Sequence, residues 1–216
     1  MSHRRTRSVG INRAFTDMDL RKFFGVIHDD KHHLAFSIMR YLGRRVGEVV
    51  RLKLTDVNLT APEPTIRILD IKSKEERPLY RRIPPQLLSE IKSYIQQHNE
   101  KVTYSGGYLF YAPGGKEKHI SSDYLRRKFR DYCADAGIDD YYTEIPATGK
   151  QCYGRTEKRK LHRLTTHSFR FRLGTTTAQK TKDPWLVKEV LGHKNIKSTQ
   201  HYIQYTDKQV NDTICE

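Results

Sequence analysis

Two short β-prone segments lie in the middle of a chain that is otherwise patterned as helices, and this order constrains the fold most. TIRILDIK (65–72) and RPLYRRIP (77–84) flank the polar turn SKEE, which predicts an antiparallel hairpin. Apolar residues at helical spacing predict helices in 15–27, 34–42, 85–99 and 121–137, and near 167–180, 184–191 and 197–205, while 44–57 is predicted as a short helix and its exit. The sequence therefore predicts an α+β fold, mostly α, with a small antiparallel sheet.

The charge balance predicts a polyanionic partner. Lysine and arginine number 40 against 25 aspartate and glutamate, a net charge of +15, which attracts nucleic acid first and an anionic membrane surface second. No segment approaches the ~18 consecutive apolar residues of a membrane span, and the basic N-terminus MSHRRTRSVG lacks the apolar stretch of a signal peptide. Three scattered cysteines fit reduced thiols in the cytosol better than a disulfide frame.

Three stretches, GRRVGEV, THSFR and LGHKNIKSTQHYIQY, contain residues suited to a phosphodiester. They supply two arginines, two histidines and a tyrosine: Arg45, Arg170, His167, His193 and Tyr202. Arginine matches phosphate oxygens with a bidentate fork, and histidine donates a hydrogen bond or moves a proton near neutral pH. Tyrosine becomes a covalent nucleophile when a base is near. The histidines and cysteines lack zinc-ligand spacing and the carboxylates form no two-metal pattern, so no metal site is expected.

Each of these residues also has an ordinary structural interpretation. A single arginine among 40 basic residues usually faces solvent or positions a phosphate, and an H-x-x-R pair on a helix is common. Tyr202 and Tyr205 lie three residues apart in a predicted helix, where both can pack in the core. The combination and order of the motifs favour a catalytic site more than any single residue does.

The motifs resemble the two signature boxes of the tyrosine recombinase family, which includes phage integrases. The first box, T-G-x-R-x-x-E-x-x-x-L-x-x-x-D, is matched by Gly43, Arg45, Glu48, Leu52 and Asp56. The second box is matched by His167, Arg170, Leu191, Gly192, His193 and, nine residues later, Tyr202. The resemblance covers roughly 15–205. Its departures are Leu42 in place of a threonine, Phe171 in place of a second histidine, and a long segment at 141–163, predicted as a hairpin or a mobile loop.

The resemblance implies a role for each matched residue. Tyr202 is the expected nucleophile, while Arg45 and Arg170 are expected to hold the non-bridging phosphate oxygens. His167 is expected to assist proton removal and His193 to donate a hydrogen bond to the phosphate.

Two kinds of supporting residue are also implied. Glu48 and Asp56 are expected to fix the geometry around the arginine rather than to act as acids. The family places a lysine in the hairpin turn, and this lysine protonates the leaving 5′-oxygen. Lys72 is the preferred candidate and Lys74 the alternative.

The implied function is that of a site-specific recombinase, or integrase, that cleaves and rejoins double-stranded DNA through a 3′-phosphotyrosine intermediate. Integration or excision of a mobile element is the expected setting, with no cofactor. The rivals are a DNA-binding protein without cleavage activity and a type IB topoisomerase-like strand transferase. All expected positions are filled, which argues against the first rival. The tail after Tyr202 favours recombination over the second.

The resemblance also implies an organisation. Residues 1–14 are expected to be a flexible basic arm, 15–205 the catalytic domain and 206–216 a C-terminal tail. Family members carry a further helical domain that completes a clamp around DNA, and the sequence leaves open whether it was removed or is naturally absent. The expected assembly is a homotetramer on DNA during synapsis and a monomer or weak oligomer when free. The expected location is the cytoplasm, at the nucleoid when DNA is bound, with no membrane partner.

Overall fold

A computed structural model describes residues 13–69, 78–114, 117–146, 158–199 and 202. Its first half contains α1 (Asp17–Gly25), α2 (Asp30–Leu42), α3 (Val46–Val49), β1 (Val57–Asn58), β2 (Thr65–Leu69), β3 (Pro78–Arg82) and α4 (Pro85–Tyr104). The second half contains α5 (Ser122–Asp135), β4 (Tyr141–Pro146), β5 (Lys158–His162), α6 (Ser168–Thr181) and α7 (Pro184–Leu191). Short 3₁₀ turns span Leu54–Asp56 and Ile196–Ser198. The predicted α+β class, mostly α, is confirmed.

The helix boundaries lie where local capping signals occur in the sequence. Thr16 caps α1, because its hydroxyl accepts from the Asp19 N–H at 3.0 Å and the Asp19 carboxylate accepts from the Thr16 N–H at 2.9 Å. Gly43 ends α2 and Gly192 ends α7, with φ of +60° and +65°. This left-handed conformation suits glycine, so each helix ends immediately before its glycine. The motif residues follow at once: Arg45 is two residues after Gly43, and His193 is one residue after Gly192.

The described strands form two antiparallel sheets. In the first sheet, of order β1-β2-β3, the register pairs Ile66 with Arg81 and Leu69 with Pro78. The predicted hairpin is thus present in the described residues, and β1 adds a strand that the sequence did not predict. The turn between β2 and β3 lies outside the described residues. β4 pairs with β5 in a second sheet, so the described part of 141–163 forms the hairpin rather than the loop.

The core places the start of α6. Phe169 stacks on Phe15 with ring centroids 4.5 Å apart, and it meets Phe23 and Phe129 edge-on at 5.6 and 5.9 Å. Aromatic pairs of this kind add to the free energy gained from burial. They pin Phe169 inside the core, so the neighbouring Arg170 is held at a fixed place on the same helix.

The last predicted helix, 197–205, is described only at 197–199 and 202. Its described start is a 3₁₀ turn, Ile196–Ser198, in which the Asn195 side chain accepts from the Lys197 N–H at 2.9 Å. Among the described helices, none is long and apolar enough to cross a membrane.

Candidate active site

A buried carboxylate fixes Arg45 at the start of α3. Glu48, whose residue surface is 5% exposed, accepts from the Arg45 backbone N–H at 3.0 Å and from Arg45 Nη1 at 2.7 Å. Both contacts come from one side chain three residues along the chain. Charge-assisted bonds of this length are among the stronger ones in proteins, so they restrict the guanidinium to a narrow range of orientations.

Asp56 connects the exit of α3 to the first sheet. Its carboxylate accepts from the Lys53 N–H at 2.9 Å and from Nε and Nη2 of Arg67, on β2, at 2.9 and 2.7 Å. The hydrogen bond and charge of Asp56 raise the pKa of Arg67. Asp56 therefore ties the turn that follows the first motif to the strand that leads towards the hairpin turn.

The second motif reaches the first through Arg170. Its side chain is buried, with 1% of the residue exposed, and Nη1 donates to the Gly43 carbonyl at 2.9 Å. Gly43 ends α2, and a helix C-terminus attracts a cation because its carbonyls carry partial negative charge. His167 stands at the N-cap of α6 and is exposed. Its backbone angles are helical and its carbonyl accepts from the Phe171 N–H at 3.0 Å, so His167 stands at the start of the helix, three residues before Arg170.

One threonine holds both His193 and Tyr202. Thr199 is fully buried, and its hydroxyl lies 3.0 Å from His193 Nδ1. The Thr199 carbonyl accepts from the Tyr202 N–H at 3.0 Å. The rings of His193 and Tyr202 stack with centroids 6.1 Å apart. When the hydroxyl donates to Nδ1, the imidazole proton lies on Nε2, so Nε2 is the nitrogen that acts as donor. Sequence reasoning missed Thr199, since one buried threonine between two motif residues carries no distinctive pattern.

Tyr202 lies against α6 at a glycine. A Cβ atom at Gly174 would come within 2.8 Å of the tyrosine ring and 2.9 Å of the Leu191 side chain. Such distances are shorter than ordinary carbon contacts, so the absent side chain lets the ring approach the helix. The Phe171 ring, at the family's second-histidine position, lies 5.1 Å from the tyrosine ring. Gly174 was also missed, because nothing in the sequence separates a close-approach glycine from an ordinary one.

The pKa of Tyr202 reflects its burial and the charges of the two motif arginines. Burial raises the pKa of Tyr202, whereas the positive charges of Arg170 and Arg45 lower it, and the net shift is upward. The hydroxyl is therefore protonated at neutral pH in the free protein. The charges of both arginines favour the phenolate, which is the nucleophilic form of a tyrosine.

Three residues singled out in the sequence lie outside the described part of the chain. Lys72 and Lys74 belong to the hairpin turn, and Tyr205 belongs to the segment after Tyr202. The hairpin itself is anchored at the site, because Nη2 of Arg81, on β3, donates to the Glu189 carbonyl near the end of α7.

Comparison with known proteins places the chain in a family. The Phage integrase family profile matches residues 15–209. Tyrosine recombinase XerA of Pyrococcus furiosus is 25% identical over 205 residues, covering 94% of this chain and 60% of that protein. A tyrosine recombinase of Thermosipho africanus is 22% identical over 202 residues, covering 92% and 59%. The chain thus spans less than two thirds of the length of these relatives.

Solved structures agree on the fold. A crystal structure of XerA recombinase superposes with a TM-score of 0.66 at 20% identity, covering all of this chain and 64% of the other. XerH recombinase in a pre-cleavage complex with its difH substrate also gives 0.66, at 17% identity, covering 94% and 54%. The fold is that of the catalytic domain of tyrosine recombinases. With the profile matched over most of its length, the chain belongs to the phage integrase family of tyrosine recombinases.

Proposed function

We propose that this chain is the catalytic domain of a site-specific recombinase that cleaves and rejoins DNA through a 3′-phosphotyrosine link. The observation that carries the proposal is a hydrogen bond that connects the second motif to the first. Arg170 donates to the carbonyl of Gly43, two residues before Arg45 in the chain, and the positive charges of both arginines lower the pKa of Tyr202 against the effect of burial. Two arginines beside a tyrosine suit a phosphodiester, because they offset its charge while the tyrosine attacks.

The chemistry begins with attack of the Tyr202 oxygen on phosphorus. The bond from phosphorus to the 5′-oxygen breaks as the new ester forms, which leaves a free 5′-hydroxyl. Arg45 and Arg170 bind the non-bridging oxygens, and His193 donates a further hydrogen bond to them. Removing one such fixed donor commonly raises the barrier by about 3 kcal/mol.

Two proton transfers accompany the step. The proton of Tyr202 leaves with help from His167, which is exposed at the N-cap of α6 and open to a bound phosphate. Lys72, or alternatively Lys74, supplies a proton to the departing 5′-oxygen. The phosphotyrosyl ester conserves the energy of the phosphodiester, so a 5′-hydroxyl from another strand reverses the step without a cofactor.

The proposal extends to the organisation of the chain and to its DNA partner. Residues 15–205 act as the catalytic domain, with a basic arm at 1–14 and a tail at 206–216. Two structural neighbours, XerH and lambda integrase, were solved on their DNA sites. By analogy, double-stranded DNA is the substrate, a homotetramer forms on it during synapsis, and a mobile element is the setting. The protein then works in the cytoplasm, at the nucleoid.

Covalent trapping on duplexes of random sequence tests this function for any DNA site. The protein is incubated with duplexes whose central 40 or so base pairs are random and whose top strand carries a central nick. Cleavage a few nucleotides upstream of the nick releases a short fragment, so religation fails and the adduct persists in detergent. We expect the wild type to give adducts enriched in one sequence, and Tyr202→Phe to give none.

Three other outcomes would contradict the proposal. Binding without any adduct would favour a DNA-binding protein that does not cleave. Adducts with no sequence enrichment, together with relaxation of supercoiled plasmid, would favour a topoisomerase. Equal adduct formation by Tyr202→Phe would remove this tyrosine from the mechanism.

A further inference from the structure

Arg44 occupies the unspecified position of the first box, between Gly43 and Arg45, and it lies buried between the two motifs. Only 4% of the residue is exposed. Nε donates to the Leu42 carbonyl at 2.7 Å, and Nη2 donates to the Val190 carbonyl at 2.8 Å. The side chain thus bridges the last turns of α2 and α7, which are far apart in sequence.

Both acceptors are carbonyls at a helix C-terminus, where backbone oxygens lack partners within the helix. At the end of α7 the Lys188 carbonyl accepts from the His193 N–H at 2.9 Å, and the Glu189 carbonyl accepts from the Gly192 N–H at 3.1 Å. The Val190 carbonyl comes next and receives Arg44. A cation at this position is further stabilised by the partial negative charge of the helix end.

Arg81 also binds to this helix end. It extends from β3 of the hairpin and donates to the Glu189 carbonyl, one residue before the acceptor of Arg44. The end of α7 is therefore held by two arginines, one adjacent to Arg45 in the chain and one in the hairpin strand. The residue after that end, beyond Gly192, is His193.

The fit around Gly192 is tight. A Cβ atom there would lie 3.3 Å from Nη1 of Arg44 and 3.3 Å from the Leu79 side chain. With φ at +65° the position also disfavours other residues. The guanidinium therefore lies close to Gly192, the residue that precedes His193.

This arrangement holds despite unfavourable electrostatics. Burial lowers the pKa of Arg44 to about 10, and the charges of Arg170, Arg81 and Arg45 lower it too, while Glu48 opposes them. Arg44 remains charged at neutral pH. A buried cation among three others gains its stability from fixed acceptors, and the carbonyls of Leu42 and Val190 are those acceptors.

We infer that Arg44 is a positioning residue that locks the His193 corner to the loop carrying Arg45, so that both reach the same phosphate. The inference rests on the proposed function for its catalytic consequence. The positioning itself is a property of the free protein. It is therefore measurable without DNA.

The test compares three variants by hydrogen exchange and by adduct formation. Arg44→Met removes the donors and keeps an unbranched buried chain, whereas Arg44→Lys keeps the charge on a compact head that lacks the guanidinium's fixed fork. Arg51→Met is the matched control, because Arg51 is an exposed arginine nearby and its loss changes the net charge equally. Peptides covering 186–194 report on the corner, and peptides from α4 report on global stability.

We expect exchange at the Gly192 and His193 amides to rise about tenfold in Arg44→Met, with α4 unchanged and with Arg51→Met like the wild type. Adduct formation should fall by a similar factor. In a His193→Ala background the further loss should be under about threefold, since a residue that acts through His193 has little left to position. Arg44→Lys should lie between Arg44→Met and the wild type in both measurements.

Several results would overturn the inference. Unchanged exchange at the corner would do so whatever the activity. Faster exchange in Arg44→Met together with wild-type adduct formation would also overturn it. The same holds if Arg44→Met reduces adduct formation as much in the His193→Ala background as in the wild type. If the wild type forms no adduct, the proposed function fails, and the exchange data alone decide the positioning. If Arg44→Met does not fold, Arg44→Lys takes its place under the same criteria.

Discussion

Replacing Thr199 with valine should impair cleavage without unfolding the protein. The change is nearly isosteric and removes only the hydroxyl that lies 3.0 Å from His193 Nδ1. Thr199 is fully buried, so no water replaces the lost partner easily. Loss of a buried hydrogen bond costs about 1 to 2 kcal/mol. If that energy selects the productive tautomer and ring orientation of His193, adduct formation slows about five- to thirtyfold.

The assay is the single-turnover rate of adduct formation on nicked duplex, with thermal unfolding measured in parallel. Thr199→Ser keeps the hydroxyl and should retain most of the rate. Thr177→Val is the matched control: its hydroxyl bonds the Leu173 carbonyl within α6 at 2.9 Å, away from the histidine. The reasoning is refuted if Thr199→Val cleaves at the wild-type rate, or if Thr177→Val slows cleavage equally.

Three further predictions concern the arginines, a buried tyrosine and the net charge. Arg45→Ala and Arg170→Ala should each reduce adduct formation about a hundredfold. Only Arg170→Ala should also lower the melting temperature, because Arg170 is 1% exposed and bonded to Gly43. Burial raises the pKa of Tyr94, so above pH 10 the unfolded state loses a proton that the folded state keeps. The free energy of unfolding, measured with urea, should therefore fall as the pH rises, by about 1.4 kcal/mol per pH unit more steeply in the wild type than in Tyr94→Phe. With a net charge of +15, the slope of log binding constant for DNA against log salt should steepen by about 0.9 per neutralised phosphate, and a flat plot would contradict this.

The parts of the fold that the sequence predicted depend on local signals. Thr16 with Asp19 is a capping box, and Gly43 and Gly192 stop their helices in the left-handed conformation. Such signals act within four residues, so a single chain displays them. The hairpin was predicted for the same reason, from β-prone segments on either side of a polar turn.

The parts that were missed depend on contacts between distant segments. Arg44 and its acceptor Val190 are 146 residues apart, and nothing in the sequence around Arg44 indicates that contact. Gly174 has its meaning only from the Tyr202 ring packed against it. The roles of the motif residues remain predictions, as does the choice between Lys72 and Lys74.

The identity of the nucleophile is the central claim, and the site of DNA attachment tests it most directly. The trapped adduct is digested with nuclease and protease, and the peptide that carries the nucleotide remnant is sequenced by mass spectrometry. Tyr202 stands nine residues after His193, shares Thr199 with it, and lies near Arg45 and Arg170. The remnant is therefore predicted on Tyr202. A remnant on Tyr205, or on any other residue, would contradict the account.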